Sequence, residues 1–147
     1  MAEWDQMKNC LIALLFALVL QPACSKELET QMLGKWQSNE EKTLDDMRKT
    51  KDIPARTRKF FENNFFGRLI LVIREGESSS YFADDKNLNI EFAPYEIIKK
   101  GDNYLIIKDF NSVLNKIEEQ QWFFEKDCMY TYVSKWKFRE YFCPRNE

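Results

Sequence analysis

The chain contains no histidine. That removes the usual general base near neutral pH and the commonest zinc and iron ligand, so histidine-centred catalysis and metal binding are excluded. Glycine and proline are scarce, four of each in 147 residues, which excludes collagen-like and linker-dominated chains. No apolar run reaches the roughly 20 residues that carry a helix across a bilayer. No block of one charge occurs either. The 22 basic and 24 acidic residues are interspersed, without the positive stripe of a nucleic-acid binder. There is no G-x-S-x-G, no phosphate-cradling glycine loop and no H-E-x-x-H. Asp45-Asp46, Asp84-Asp85 and Glu118-Glu119 read as turn, helix-start or solvated-strand charge, because strand neighbours face opposite ways. No catalytic residue, cofactor or metal site is therefore assigned, and the chain does not read as an enzyme.

What is present starts with Cys10 to Leu20, CLIALLFALVL, eleven uncharged apolar positions. The run is too short for a membrane anchor and matches the apolar core of a signal peptide, about 7 to 15 residues long. Gln21-Pro22-Ala23-Cys24 ends it, and the chain then switches abruptly to polar residues. Glu3 and Asp5 are out of place in a segment that should be positive; a start at Met7 leaves Lys8 as its charge. We expect residues 1–23 to be a signal peptide, 24–31 a tether or short helix, and 32–147 a single domain. Cleavage before Cys24 removes Cys10 and leaves Cys24, Cys128 and Cys143. An odd count in an exported chain needs a reason. One reading modifies Cys24 and pairs Cys128 with Cys143; the other leaves three separate thiols.

Ala23-Cys24 resembles the end of a bacterial lipobox, in which the cysteine is acylated and becomes the mature N-terminus. That resemblance implies a partner, the membrane surface, and Ser25 implies the outer membrane, on its periplasmic side or at the cell surface. Ordinary cleavage after Ala23, giving a soluble secreted or periplasmic protein, is the alternative.

The remainder reads mostly as strands. Met32 to Ser38 forms a first strand anchored by Trp36. Thr43 is placed to cap one helix, and Pro54 to open a second that ends at Asn63-Asn64. Strands follow over 68–74, 79–82, 88–100, 104–108 and 117–124, separated by turn residues such as Gly101-Asp102-Asn103. A two-residue turn at Lys135-Trp136, or a longer loop with the same centre, pairs positions summing to 271. Cys128 then faces Cys143, and Tyr130 faces Tyr141. Met129, Thr131, Val133, Phe138 and Phe142 share the inward face. About eight successive antiparallel strands, with short helices inserted after the first, predict an all-β up-and-down barrel that removes its own edges by closing.

Gly34-Lys35-Trp36 on the first strand is similar to the G-x-W of the lipocalin or broader calycin group, and the setting resembles small bacterial lipocalin-like proteins. The resemblance implies a barrel plugged at one end by Gly34 and Trp36, with an arginine near the chain end over the tryptophan: Arg145 on facing, or Arg139. It also implies binding of a small apolar or amphipathic molecule. Candidate lining residues are Leu69, Leu71, Ile73, Phe82 and Phe92, followed by Ile106, Trp122, Phe124 and Phe138. An eight-stranded barrel holds one small ligand or is filled by its own side chains. A filled barrel instead acts through its outer surface, on Tyr130, Tyr132 and Tyr141, toward a protein partner that the sequence does not identify.

Overall fold

The computed structural model describes residues 27–86, 89–111, 114–133 and 135–145. Nine antiparallel strands form one sheet: β1 (Gly34–Ser38), β2 (Leu69–Arg74), β3 (Glu77–Phe82), β4 (Ala93–Pro94), β5 (Glu96–Lys100), β6 (Tyr104–Asn111), β7 (Lys116–Glu125), β8 (Cys128–Tyr132) and β9 (Arg139–Pro144). Their order is β4-β3-β2-β1-β9-β8-β7-β6-β5, so the first and last strands pair in the middle. The outer strands are one stretch of chain. β4 pairs with β3, the Tyr95 amide donates to the Gly76 carbonyl at 3.2 Å, and β5 pairs with β6. This shared segment brings the two ends of the sheet together and nearly closes a barrel. The count exceeds the expected eight because the 88–100 segment changes partner at Tyr95, pairing with β3 before it and with β6 after it.

Among the described residues three helices accompany the barrel: α1 (Leu28–Met32), α2 (Glu40–Lys49) and α3 (Ala55–Phe61), so the fold is not purely β. The short α1 lies at the end where β1 begins. Met32 is fully buried there, and its carbonyl accepts from Trp36 Nε1 at 2.8 Å. Gly34, between them, has φ 137°, a conformation that disfavours any side chain. Trp36, Ile73, Leu105, Trp122, Met129 and Phe142 pack into the core at that end. Arg145 is exposed; its backbone amide bonds the Lys35 carbonyl, while the Trp36 indole is held by α1.

α2 and α3 occupy the opposite end, between β1 and β2. The α2 cap is Asn39, whose side chain accepts from the Lys42 amide at 3.0 Å, rather than Thr43. Thr43 is fully buried instead, and its hydroxyl accepts from the Tyr141 amide at 3.1 Å. Asp46 ties α2 to β9: Arg139 donates its amide at 2.8 Å and two guanidinium nitrogens at 3.1 and 2.7 Å. Pro54 does open α3, and Asn64 ends the segment with φ 53°. Leu44, Met47, Ile53, Phe61, Phe66 and Phe138 form a second core here.

The final hairpin has the expected register. Tyr130 pairs with Tyr141, Tyr132 with Arg139, and Cys128 is disulfide-bonded to Cys143. Its connection is the longer loop, closed by the Val133 amide on the Phe138 carbonyl, with Lys137 at φ 57°. Met129 and Phe142 face inward as expected, and the disulfide lies on the outer face.

Candidate functional site

The barrel interior is not filled. A chamber of about 720 Å³ lies between the Trp36 end and the α2–α3 end. Its walls follow from period-two alternation, which sends every second residue of a strand inward. On β2 these are Leu69, Leu71 and Ile73, and on β3 Ser78, Ser80 and Phe82; each faces its cross-strand partner in that set. On β6 and β7 the inward partners are Leu105 with Trp122, Ile107 with Gln120, and Asp109 with Glu118. On β8 and β9, Met129 pairs with Phe142 and Thr131 with Glu140.

The inside therefore changes character along its length. Trp122 and Phe142, edge-on at 5.2 Å, make an apolar floor. Higher up come serines, Gln120, Thr131 and the inward acids Asp109, Glu118 and Glu140, with the exposed Glu119 beside them. Around the mouth stand Phe65, Phe82, Phe110, Leu114 and Tyr132, all more than one-third exposed. No lysine or arginine lines the chamber among the described residues.

The three acids differ. Glu118 accepts from Lys116 Nζ at 2.7 Å and from Asn111 Nδ2 at 2.8 Å, and the lysine above all holds its pKa below the ordinary value. Asp109, opposite it, is pushed up to about 6, first by burial and then by the charge of Glu118. Its Oδ1 is buried with no hydrogen-bond partner. Glu140 accepts one bond, from Ser38 Oγ at 2.8 Å, and burial pushes it up to about 7. Trp122, only 4% exposed, also has an unpartnered Nε1. A buried polar atom without a partner costs on the order of 1–3 kcal/mol, so both atoms favour any occupant that satisfies them.

Of the residues expected to line a ligand site, Leu69, Leu71, Ile73, Phe82 and Trp122 are brought together around the chamber. The others lie elsewhere. Phe92 sits under the Arg74 guanidinium, 3.9 Å from its ring centre. Ile106 alternates out of phase with the inward Leu105 and Ile107. Phe124 packs on the core around Trp36, and Phe138 is fully buried in the second core. The polar residues Asp109, Gln120, Glu118 and Glu140 were not expected. Alternation on β6, extended through Leu105, Ile107 and Asp109, is the signal that would have found Asp109. An expected strand that ends at 108 stops one residue short of it.

Two of the three tyrosines expected to protrude do not. Tyr130 and Tyr141 are buried on the outer face, with Arg139 5.3 Å from each ring and Phe123 stacked on Tyr130 at 5.1 Å. Only Tyr132 is exposed, at 47%. Among the described residues no helix is long and apolar enough to cross a membrane, and no cluster of metal-ligating side chains occurs. The expectations for Met7, the apolar run and Cys24 lie outside the described residues. Comparison with protein-family models, curated proteins and solved structures finds no match for this chain.

Proposed function

We propose that this is an exported, lipid-anchored protein of lipocalin-like design that binds one small amphipathic molecule inside its barrel. The observation that carries the reading is the chamber itself. Its volume, about 720 Å³, falls within the roughly 300–1,000 Å³ of small-molecule sites. A barrel serving only as a scaffold fills its interior with side chains, because empty space forfeits packing energy. The unpartnered Trp122 Nε1 and Asp109 Oδ1 support an occupant with polar atoms as well as an apolar body. A role acting through the outer surface has less support, since Tyr130 and Tyr141 are covered.

The anchoring part of the reading rests on the apolar run and Ala23-Cys24. Ser25, Lys26 and Glu27 alone separate Cys24 from α1 at the closed end. Acyl chains on Cys24 would hold that end against the bilayer, each buried CH₂ contributing about 0.8 kcal/mol, and leave the mouth facing away.

Native mass spectrometry tests both parts on the full-length chain expressed in a bacterial host. The expected species begins at an acylated Cys24 and carries a small-molecule adduct that is lost on denaturation. Leu71→Trp, which puts a large ring into the chamber wall, should remove the adduct and keep the acylation. A chain still beginning at Met1 or Met7 would refute the anchoring, and an adduct retained by Leu71→Trp would refute the chamber as its site.

A further inference from the structure

The chamber's polar groups narrow the chemical class of its occupant, an inference that rests on the binding role proposed above. We propose that the occupant is an amphipathic amine, its cationic nitrogen seated at the Asp109–Glu118 pair and its apolar part directed toward Trp122 and Phe142.

Four observations lead there. First, acids line the wall and no basic side chain does, among the described residues. A low-dielectric pocket magnifies that imbalance, so anionic occupants are repelled and cationic ones attracted. Second, Asp109 and Glu118 are direct cross-strand partners on the inward face, and Asp109 Oδ1 has no donor. An ammonium group supplies donors and also relieves the repulsion between two facing carboxylates; a hydroxyl supplies only a donor. Third, Lys116 and Asn111 already satisfy Glu118 from the mouth side, so the unmet charge and hydrogen-bonding capacity belong to Asp109. Fourth, Trp122 is nine-tenths buried, lines the same chamber and has an unpartnered N–H. The interior is thus incomplete at two polar atoms, an acceptor beside the acids that the ammonium would satisfy and a donor at the floor that calls for an acceptor atom on the otherwise apolar part of the molecule. The floor rings offer π faces and apolar area to the remainder of the molecule.

The groups around Asp109 set a pH dependence. Glu118 faces it from β7 with Lys116 bonded to that carboxylate and the exposed Glu119 next to it, Glu140 stands in the β9 wall on Ser38 of β1, and the β2 and β3 lining residues are apolar or hydroxyl-bearing. Without an amine, Asp109 holds its proton up to about 6 and Glu140 to about 7. An alkylammonium, like the lysine side chain, stays charged throughout this range. Its binding therefore weakens as pH falls and the acids take up protons.

Isothermal titration with three probes of equal tail length, octylamine, 1-octanol and octanoate, tests the inference. At about pH 8, octylamine should bind about tenfold or more tighter than octanol, the effect of one charge-assisted pairing, and octanoate more weakly than octanol. Lowering the pH to about 5 should bring octylamine toward octanol while leaving octanol unchanged, because only the acids titrate in this interval. Asp109→Asn should erase most of the preference, and retained octanol binding would show that the variant is folded. Glu118→Gln provides a second variant, expected to lower the preference in part. Octanol or octanoate binding as tightly as octylamine, with all three lost in Leu71→Trp, would overturn the amine specificity and leave the binding role standing. Failure of all three probes to bind would overturn both.

Discussion

Glu140 stands in the chamber wall with a single hydrogen bond, from Ser38, and a pKa raised to about 7 by burial. In the folded protein it keeps its proton between its ordinary value of 4.5 and about 7, where the unfolded chain has released it. Folding is therefore favoured by protonation of this group, and its contribution weakens as pH rises through that window. Glu140→Gln keeps an oxygen for Ser38 and removes the charge. It should stabilise the protein by roughly 1–3 kcal/mol at about pH 8 and by almost nothing at about pH 4. Urea unfolding of both forms at the two pH values checks this, and an equal effect at both would show that Glu140 carries no such cost. The position was legible in the sequence as the inward neighbour of Phe142, but the cost was not: it depends on a chamber whose walls come from residues distant in the chain.

At the scale of elements, local pattern decided most strands and missed what crosses between them. The hairpin register was legible because Cys128, Tyr130, Cys143 and Tyr141 fall opposite each other about one centre. Thr43 was misread as a cap because its real partner, the Tyr141 amide, is 98 residues away. The same distance hides the link between α2 and β9. Burial disfavours charge on Asp46, but its bonds from Arg139 outweigh this and hold its pKa below the ordinary carboxylate value. The stabilisation from this pair is present at neutral pH and is lost as pH falls through that lowered value. Asp46→Ala removes the acceptor of three hydrogen bonds and leaves Arg139 with Glu125, at 3.2 Å, and the Tyr130 and Tyr141 rings. We expect a loss of about 2 kcal/mol at neutral pH by chemical denaturation, shrinking in acid. A loss below about 0.5 kcal/mol would mean that apolar contacts alone seat α2 on the sheet.

At the scale of the whole molecule, the barrel shape was readable from a meander of strands with helices confined to one insertion. The closing segment was not, because Pro94 and Tyr95 join the two sheet edges through pairing with strands on either side. The chamber's contents were half legible. The lipocalin-like reading placed Leu69, Leu71, Ile73, Phe82 and Trp122 on the wall, where they stand. Acids on an inward face contradict the rule that buried positions are apolar, so strand alternation reaches Asp109 and Glu140 while residue type argues against placing them inside. Such exceptions to local consistency are expected where a protein gives up stability for a site.

The central claim, that a small molecule enters the barrel, is tested most directly by the indole N–H resonances of the full-length protein, titrated with 1-octanol. The Trp122 signal, from an unbonded N–H in the chamber wall, should shift to saturation. The Trp36 signal, bonded to Met32 at the closed end, should move far less. Saturating octanol that leaves Trp122 unmoved would contradict the account.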